Sequence, residues 1–323
     1  MLNLLLKGTI VSQQKLVFSL ILLSELEMHR FSLLLAGLLF AALPALADDL
    51  ATVAQLEGLG GKVVRSGELV TEIEFRDSSG LGTAQWEAIG GLAGLKKITV
   101  YGKAAGLNDA TVSQLLRLKN LESFSADGAQ LSDEGLRLMA GCTSLRSVAF
   151  FHLSFRMEGF TGEGFSAWVA MPNLEKLTVA GMSMGDAGFA AIAKIATLKE
   201  LRTWHTYQTE SANAMIATLP GVRSLMLGQR LPGQGRSLSL TDESLATIAK
   251  MKSLSSLEIG ESRFSLEALR QLGALPELEK LKITRTEISA EEIESLRTYL
   301  PRVQIEFLPL TDEQRKQLEM YLK

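Results

Sequence analysis

The sequence predicts an α/β solenoid: strand-helix units stacked so that a curved parallel β-sheet lines the concave face and helices line the convex face. Three observations predict this class. A leucine-spaced phrase recurs at intervals of 22 to 32 residues, an amphipathic segment follows many of its copies, and the return from helix to strand has a constant length. Such periods are typical of repeat architectures, in which each unit buries its apolar face on its neighbours.

Ten copies of the phrase, LxxLxL in its simplest form, predict ten strands. Alternate apolar positions turn one side of each strand toward a core and the other toward the open face. The copies are VTEIEF (70), LKKITV (95), LESFSA (121), LRSVAF (145), LEKLTV (174), LKELRT (198), VRSLML (222), LSSLEI (254), LEKLKI (278) and LPRVQI (300). The residue six positions after each start defines an open-face column: Arg76, Tyr101, Asp127, Phe151, Ala180, Trp204, Gly228, Gly260, Thr284 and Glu306.

Helices are predicted after the strands, because Ser, Thr or acidic residues precede apolar residues at helical spacing. Clear examples are LNDATVSQLLRL, LSDEGLRLMAG, MGDAGFAAIAKI, LTDESLATIAKM and ISAEEIESLRTYL. The first major apolar position of the helix stands nine residues before the next phrase in eight consecutive repeats. Trp86 and Trp168 occupy this part of the helix pattern and are expected in the core.

These phrases carry a family resemblance. From about Val70 to Phe307 the chain resembles the leucine-rich-repeat family, nearest to its ribonuclease-inhibitor-like and cysteine-containing subclasses, and Gly141-Cys142 before LRSVAF is a matching detail. It departs from the family pattern where asparagine would follow the strand. The resemblance implies a leucine-rich-repeat solenoid over residues 70–307.

Both ends of the solenoid are expected to be covered, since open repeat stacks need caps over their end cores. Residues 48–69 are expected to form the N-terminal cap, beginning with an amphipathic helix. Residues 308–323 are expected to form a C-terminal capping helix that packs over the last repeat. Thr311 and Gln314 provide its start signal.

The N-terminus reads as a secretory signal peptide over residues 28–47, with a basic start, an apolar run and an Ala-Leu-Ala ending. Cleavage after Ala47 would place the chain in the periplasm or outside the cell, with no membrane insertion of the mature protein. Residues 1–27 are interpreted as an upstream extension. A retained membrane anchor is the alternative, although the apolar run is shorter than the roughly 20 residues that span a bilayer.

Composition excludes several function classes. Lys plus Arg (33) nearly balance Asp plus Glu (36) without a basic run, so nucleic-acid binding is not expected. A single cysteine, three histidines and the absence of phosphate-loop, zinc-protease and serine-hydrolase motifs predict neither a metal nor a cofactor. A monomer is expected.

The extra length of the repeats falls on one edge. The distance from strand start to the helix position is usually 15 residues, but it is 20 in the repeat at Leu145 and 23 in the repeat at Val222. Both insertions therefore lie where chains leave the strands. Binding loops on a rigid scaffold show this pattern, although neutral drift in exposed loops would also produce it.

The predicted binding site lies between these insertions. In the column, Phe151 and Trp204 flank Ala180, which predicts two aromatic side chains about 10 Å apart with a dip between them. The full predicted partner-binding set is Tyr101, Phe151, His152, Trp204, His205, Tyr207, Arg230 and Arg236. Lys282, several strands away, is expected to be independent of this set.

Alternatives remain open at this stage. Thr203 stands at a core position, so the strand could slip and turn Trp204 inward. His152 and His205 could be loop or core histidines, while a hydrolase would need Ser154 or Thr206 beside them. We expect a non-catalytic envelope or secreted module that binds a protein partner. A glycan-binding protein and a purely structural envelope protein are the alternatives, and a hydrolase is less favoured.

Overall fold

The computed structural model describes residues 49–155, 157–232 and 237–322. The expected upstream extension and signal peptide lie outside this range. The chain divides into two units, Met1–Ala54 and Gln55–Lys323. Residues 49–58 are helical (α1).

The predicted fold class is confirmed, because strands and helices alternate and the strands join in sequence order into one sheet. The eleven strands of this sheet are β1 (Lys62–Ser66), β2 (Leu69–Phe75), β3 (Lys97–Val100), β4 (Ser123–Asp127), β5 (Ser147–Phe151), β6 (Lys176–Ala180), β7 (Glu200–Trp204), β8 (Ser224–Leu227), β9 (Ser256–Gly260), β10 (Lys280–Thr284) and β11 (Gln304–Leu308). β1 pairs antiparallel with β2, and every later pair is parallel. The sequence did not predict β1, because it lacks the leucine phrase.

Helices return the chain from one strand to the next. They are α2 (Thr83–Ile89), α3 (Asp133–Met139), α4 (Asp186–Ile192), α5 (Glu210–Ile216), α6 (Asp242–Ile248), α7 (Leu266–Arg270), α8 (Ala290–Tyr299) and α9 (Asp312–Tyr321). The tighter 3-10 form replaces the α-helix at Val112–Arg117 and Glu163–Ala170 and extends α7 over Gln271–Ala274. Ser132, Thr241 and Ser289 cap their helices through side-chain hydrogen bonds, as the start signals predicted.

One strand register was predicted wrongly. Gln304 pairs with Lys280 and Leu308 pairs with Thr284, so the last phrase starts two residues later than LPRVQI. Leu308, not Glu306, therefore completes the column. The step from β10 to β11 is then 24 residues, the same as the step from β9 to β10, and the apparent shortening of the last repeat disappears.

The core lies between the sheet and the helices. Trp86 and Trp168 are fully buried, as predicted, and the indole nitrogen of Trp168 donates a hydrogen bond to the Leu136 carbonyl at 2.8 Å. Cys142 is also buried, and this burial raises the pKa of its thiol to about 12. The cysteine therefore stays protonated at neutral pH and acts as a small apolar side chain.

Polar side chains replace part of this core beside β7 and β8. Gln229 is fully buried, and its side-chain oxygen accepts hydrogen bonds from the Ser239 amide at 2.8 Å and the Ser239 hydroxyl at 3.0 Å. Asn213 occupies the core position of α5 and donates to the Ser239 carbonyl at 2.6 Å. The insertion after β8 is thus tied into the protein interior through hydrogen bonds at both of its described ends.

The C-terminal helix α9 is capped by Thr311 and Gln314 as predicted, but its position differs from the prediction. It extends back along the edge where chains leave the strands. Glu319 pairs with Arg263 after β9, Arg315 pairs with Glu287 after β10 at 3.0 Å, and Tyr321 reaches the end of β7. Ion pairs and one aromatic contact hold α9 against these repeats, and no feature of a repeat phrase encodes such contacts.

Candidate binding site

The residue after the column position adopts positive φ in seven of the repeats. We call this set the exit row, and it consists of Gly102, Gly128, His152, Gly181, His205, Glu261 and Arg285. The four members with side chains have φ between 50° and 60°. A residue other than glycine that is held at positive φ costs roughly 1–3 kcal/mol of backbone strain. Residues with such strain cluster at functional sites. All four of these strained residues carry titratable groups.

Three aromatic side chains form a continuous row on the open face of the sheet. The Tyr101 and Phe151 ring centroids are 6.0 Å apart, and the Phe151 and Trp204 centroids are also 6.0 Å apart. Tilted contacts at this distance are favourable for aromatic pairs. We call Tyr101, Phe151 and Trp204 the aromatic row.

The predicted dip between Phe151 and Trp204 is absent. Ala180 lies between them in the sheet, as expected, but it is only 2% exposed. The two large rings approach each other to 6.0 Å, closer than the two-strand spacing of about 10 Å. The site is therefore an aromatic ridge and not a groove.

Trp204 lies on the open face, which resolves its two possible orientations. Thr203 points into the core with no exposed surface, and its hydroxyl donates to the Gln208 side-chain oxygen at 3.3 Å. The strand therefore keeps its register by burying a hydrogen-bonded threonine. Gly228 directly follows the next strand, β8, and a Cβ there would lie 2.6 Å from the Trp204 Cβ, so the tryptophan needs glycine as its neighbour.

His152 and His205 both contact carboxylates. Nδ1 of His152 lies 2.8 Å from Oδ1 of Asp127, and the imidazole is 62% exposed. The same ring packs over Gly181, where a Cβ would lie 2.6 Å from it. His152 therefore stands beside the aromatic row as an accessible polar side chain.

His205 belongs to a more buried network. Its Nε2 lies 2.9 Å from Oε2 of Glu261, whose Oε1 accepts a hydrogen bond from Arg285 at 2.6 Å. The imidazole also stacks on Tyr321 of α9, with ring centroids 4.7 Å apart and an angle of 14° between the ring planes. The network joins the ends of β7, β9 and β10 to the C-terminal helix.

Electrostatics fix the charge of Glu261 within this network. Burial raises its pKa, but hydrogen bonds and charges from His205 and Arg285 together lower it below the ordinary value of 4.5. Burial also raises the pKa of the Tyr321 hydroxyl. At neutral pH, Glu261 is therefore ionised and Tyr321 is neutral.

This pKa shift predicts a pH dependence of stability. Because the folded-state pKa is lowered, the contribution of Glu261 is fully present above about pH 4.5 and is lost as the pH falls through its folded-state pKa. Glu261→Gln should cost about 1–3 kcal/mol of unfolding free energy at neutral pH, and the difference from wild type should shrink below pH 4.5. Urea unfolding of both proteins from neutral pH downward measures this. A difference that does not change with pH would show that the carboxylate is not stabilised by its partners.

The three remaining residues of the predicted partner-binding set are Tyr207, Arg230 and Arg236. Tyr207 is half-buried beyond His205, and its amide donates to the Met184 carbonyl at 2.7 Å. Arg230 was predicted wrongly as a partner contact, because it is 1% exposed and its guanidinium donates to the Ser237 and Leu231 carbonyls at 2.7 and 2.9 Å. It holds the insertion after β8 together. Arg236 lies outside the described residues.

Glu261, Arg285 and Tyr321 are not among the site residues predicted from the sequence. A usable signal was present for two of them, since Glu261 and Arg285 follow their column residues just as His205 follows Trp204. Counting one position past the column would have found the exit row. Tyr321 had no such signal, because its contact depends on where α9 packs.

The two hydroxyl groups that a hydrolase would need beside the histidines donate hydrogen bonds to other groups. Ser154 is buried and donates to the Leu131 carbonyl, while Thr206 is buried and donates to the Gln208 side chain at 2.7 Å. Neither hydroxyl is hydrogen-bonded to His152 or His205, the two histidines that the structure describes. The histidine-carboxylate pairs thus lack the nucleophile partner that the hydrolase hypothesis required.

The repeated strand-helix unit, its leucine phrase and the ordered sheet define a leucine-rich-repeat solenoid with an aromatic ridge on its open face. Among solved structures, the chain is similar to an internalin from Listeria monocytogenes at 14% identity, with 70% of this chain and 71% of that chain covered and a TM-score of 0.43. It is also similar to an internalin C2 from Listeria monocytogenes at 16% identity, with coverages of 69% and 84% and a TM-score of 0.45. No protein-family model and no curated protein matches.

Within the residues that the structure describes, no helix is both long and apolar enough to cross a membrane. Over the same residues, no three His, Cys, Asp or Glu side chains gather in a way that could hold a metal ion.

Proposed function

We propose that the protein is a non-catalytic recognition module that binds a protein partner through the aromatic row and the adjoining exit row. The aromatic row is the observation that carries this proposal. Tyr101 is 37% exposed, and large aromatic side chains that remain accessible on a rigid surface are typical anchors of interfaces.

The length of the row favours a protein over a single sugar. Its three ring centroids, 6.0 Å apart in each of the two contacts, span up to about 12 Å between residues at the ends of β3 and β7. A pyranose stacks on one aromatic side chain, whereas a protein interface of standard size buries about 800 Å² on each partner and uses several anchors. The polar exit-row side chain of His152 lies beside the row, as a polar rim would.

Site-specific photo-crosslinking tests this proposal. A benzoylphenylalanine in place of Phe151, at the centre of the row, should form a covalent adduct with one protein in a cell-envelope extract of the native host. The matched control carries the same residue in place of Tyr299, which is 55% exposed on α8. Adducts of equal yield and identity from both positions, or none from position 151, would contradict the proposal.

We further propose that the mature chain is an exported monomer beginning near Asp48, on the strength of the signal-peptide pattern over residues 28–47. N-terminal sequencing of the protein recovered from the native host tests this. Residues 1–27 found intact on exported protein would contradict it.

A further inference from the structure

A cavity of about 360 Å³ lies beside Trp204, on the open face of β7 to β10. Its apolar lining includes Trp204, Met226 and Leu308, and Gln314 of α9 completes it. The volume lies within the range of small-ligand sites, which are apolar pockets with a few converging polar groups. Tyr101 and Phe151 are not part of the lining, so the cavity is distinct from most of the aromatic row.

Two glycines create the depth of this cavity. The column positions of β8 and β9 are Gly228 and Gly260, and both line it. A Cβ at Gly228 would lie 2.6 Å from the Trp204 Cβ, and one at Gly260 would lie 2.8 Å from the Thr284 carbonyl oxygen. Neither position accepts a side chain without displacing a neighbour. The open face is thus recessed at this point.

The charged groups of the cavity do not balance. Three cations, Arg202, Lys282 and Arg285, face two carboxylates, Glu258 and Glu261, which leaves a net charge of +1 (3 − 2). Glu258 forms ion pairs with two of the cations. Its oxygens lie 3.0 Å from Nζ of Lys282 and 3.6 Å from a guanidinium nitrogen of Arg202. Glu261 is occupied by Arg285 and His205.

Arg202 holds the uncommitted hydrogen-bond donors. Its 3.6 Å approach to Glu258 is too long for a hydrogen bond, and its guanidinium makes no hydrogen bond to any of the described residues. Its side chain is 40% exposed. A guanidinium presents a planar fork of N–H groups that matches the two oxygens of a carboxylate.

We propose that this cavity binds a monocarboxylate with an apolar body, in which the carboxylate pairs with Arg202 and Lys282 and the body packs on Trp204 and Met226. One negative charge balances the surplus of +1, whereas a phosphate dianion would exceed it. A neutral polyol would leave the surplus uncompensated. Two sources share this chemistry, a free organic acid and the C-terminal residue of a peptide.

Tryptophan fluorescence offers a local readout of binding. Trp86 and Trp168 are fully buried in the core, so a ligand-induced change reports on Trp204. The probes are N-acetylphenylalanine, its carboxamide and the tripeptide Gly-Gly-Phe with a free C-terminus. We expect saturable binding of the two carboxylate probes with Kd between about 0.1 and 10 mM, and at least tenfold weaker binding of the carboxamide.

Two cavity variants and one control complete the test. Arg202→Gln should lower the affinity for the carboxylate probes at least tenfold, about 1.4 kcal/mol or more. Lys282→Gln should lower the same affinity severalfold. Lys176→Gln should bind as wild type, because Lys176 pairs with Glu200 at 3.3 Å on the open face outside the cavity. Tighter binding of the tripeptide than of N-acetylphenylalanine would assign the site to peptide ends, and the reverse order would assign it to free acids.

The proposal is overturned if the acid and the carboxamide bind equally, if both cavity variants bind as wild type, or if no carboxylate probe binds saturably. These outcomes are separate from the proposed function. Neither cavity substitution alters Tyr101 or Phe151, so the crosslink from position 151 can be made in the Arg202→Gln background. If the crosslink persists while probe binding fails, the proposed recognition function is retained and the carboxylate site is refuted.

Discussion

Leu177→Ala is expected to lower the free energy of unfolding by about 2–5 kcal/mol, the cost of deleting a buried leucine side chain and leaving a cavity. Leu177 is the second residue of β6, is 1% exposed, and pairs in register with Val148 on β5 and Leu201 on β7. Its side chain is therefore enclosed by the cores of two neighbouring repeats.

Denaturant unfolding measures this cost, with Lys176→Ala as the control. Lys176 is the preceding residue of β6 and is exposed on the open face, so its loss should cost less than about 0.5 kcal/mol. Because repeat stability is shared between neighbours, amide exchange should also accelerate in β5 and β7 of the leucine variant. A loss below about 1 kcal/mol would mean that the side chain of Leu177 is not enclosed as described.

Trp204→Ala is expected to weaken partner binding at least tenfold. Aromatic hot spots at interfaces cost about 2 kcal/mol or more on truncation, and tenfold corresponds to about 1.4 kcal/mol. Trp204 contacts Phe151 at one end of the aromatic row and also lines the cavity, so its removal disrupts both surfaces. Thr203 carries the core position of the strand, and the fold should remain cooperative without the indole.

The choice of control for this variant depends on the structure. From sequence, Lys282 is expected to be independent of the Trp204 cluster, but both residues line the same cavity, so Lys282 is not a clean control. Two strands, β8 and β9, separate them along the sheet, but the glycines that follow or end these strands leave one shared cavity between the two side chains. Lys280 is the better control, because it is exposed near the start of β10 and does not line this cavity.

Sequence alone predicts the architecture because one physical constraint repeats. Every unit must bury the same apolar positions, so the phrase and the constant return from helix to strand locate nine of the ten predicted strands in register. The register of the last strand was predicted wrongly because Leu300 and Val303 match the phrase but belong to the turn before β11. The burial of Ser154 and Thr206 became visible only in the structure, because it has no signal in the repeat pattern.

The candidate site was predicted less completely, because its contacts cross between repeats. The column placed Tyr101, Phe151 and Trp204 correctly on one face, since alternation along a strand fixes that choice. The convergence of the rings, the burial of Arg230 and the return of α9 to His205 depend on side-chain rotamers and long-range ion pairs. Those features follow from packing between units and not from the repeated phrase.

The affinity of the protein crosslinked from position 151, compared across wild type, Trp204→Ala and Lys280→Ala, tests the central claim most directly. Circular dichroism and denaturant unfolding first establish that all three proteins fold cooperatively. The aromatic row predicts that wild type and Lys280→Ala bind equally, while Trp204→Ala binds at least tenfold more weakly, about 1.4 kcal/mol or more. Equal affinity of all three folded proteins would contradict the assignment of the aromatic row as the partner-binding surface.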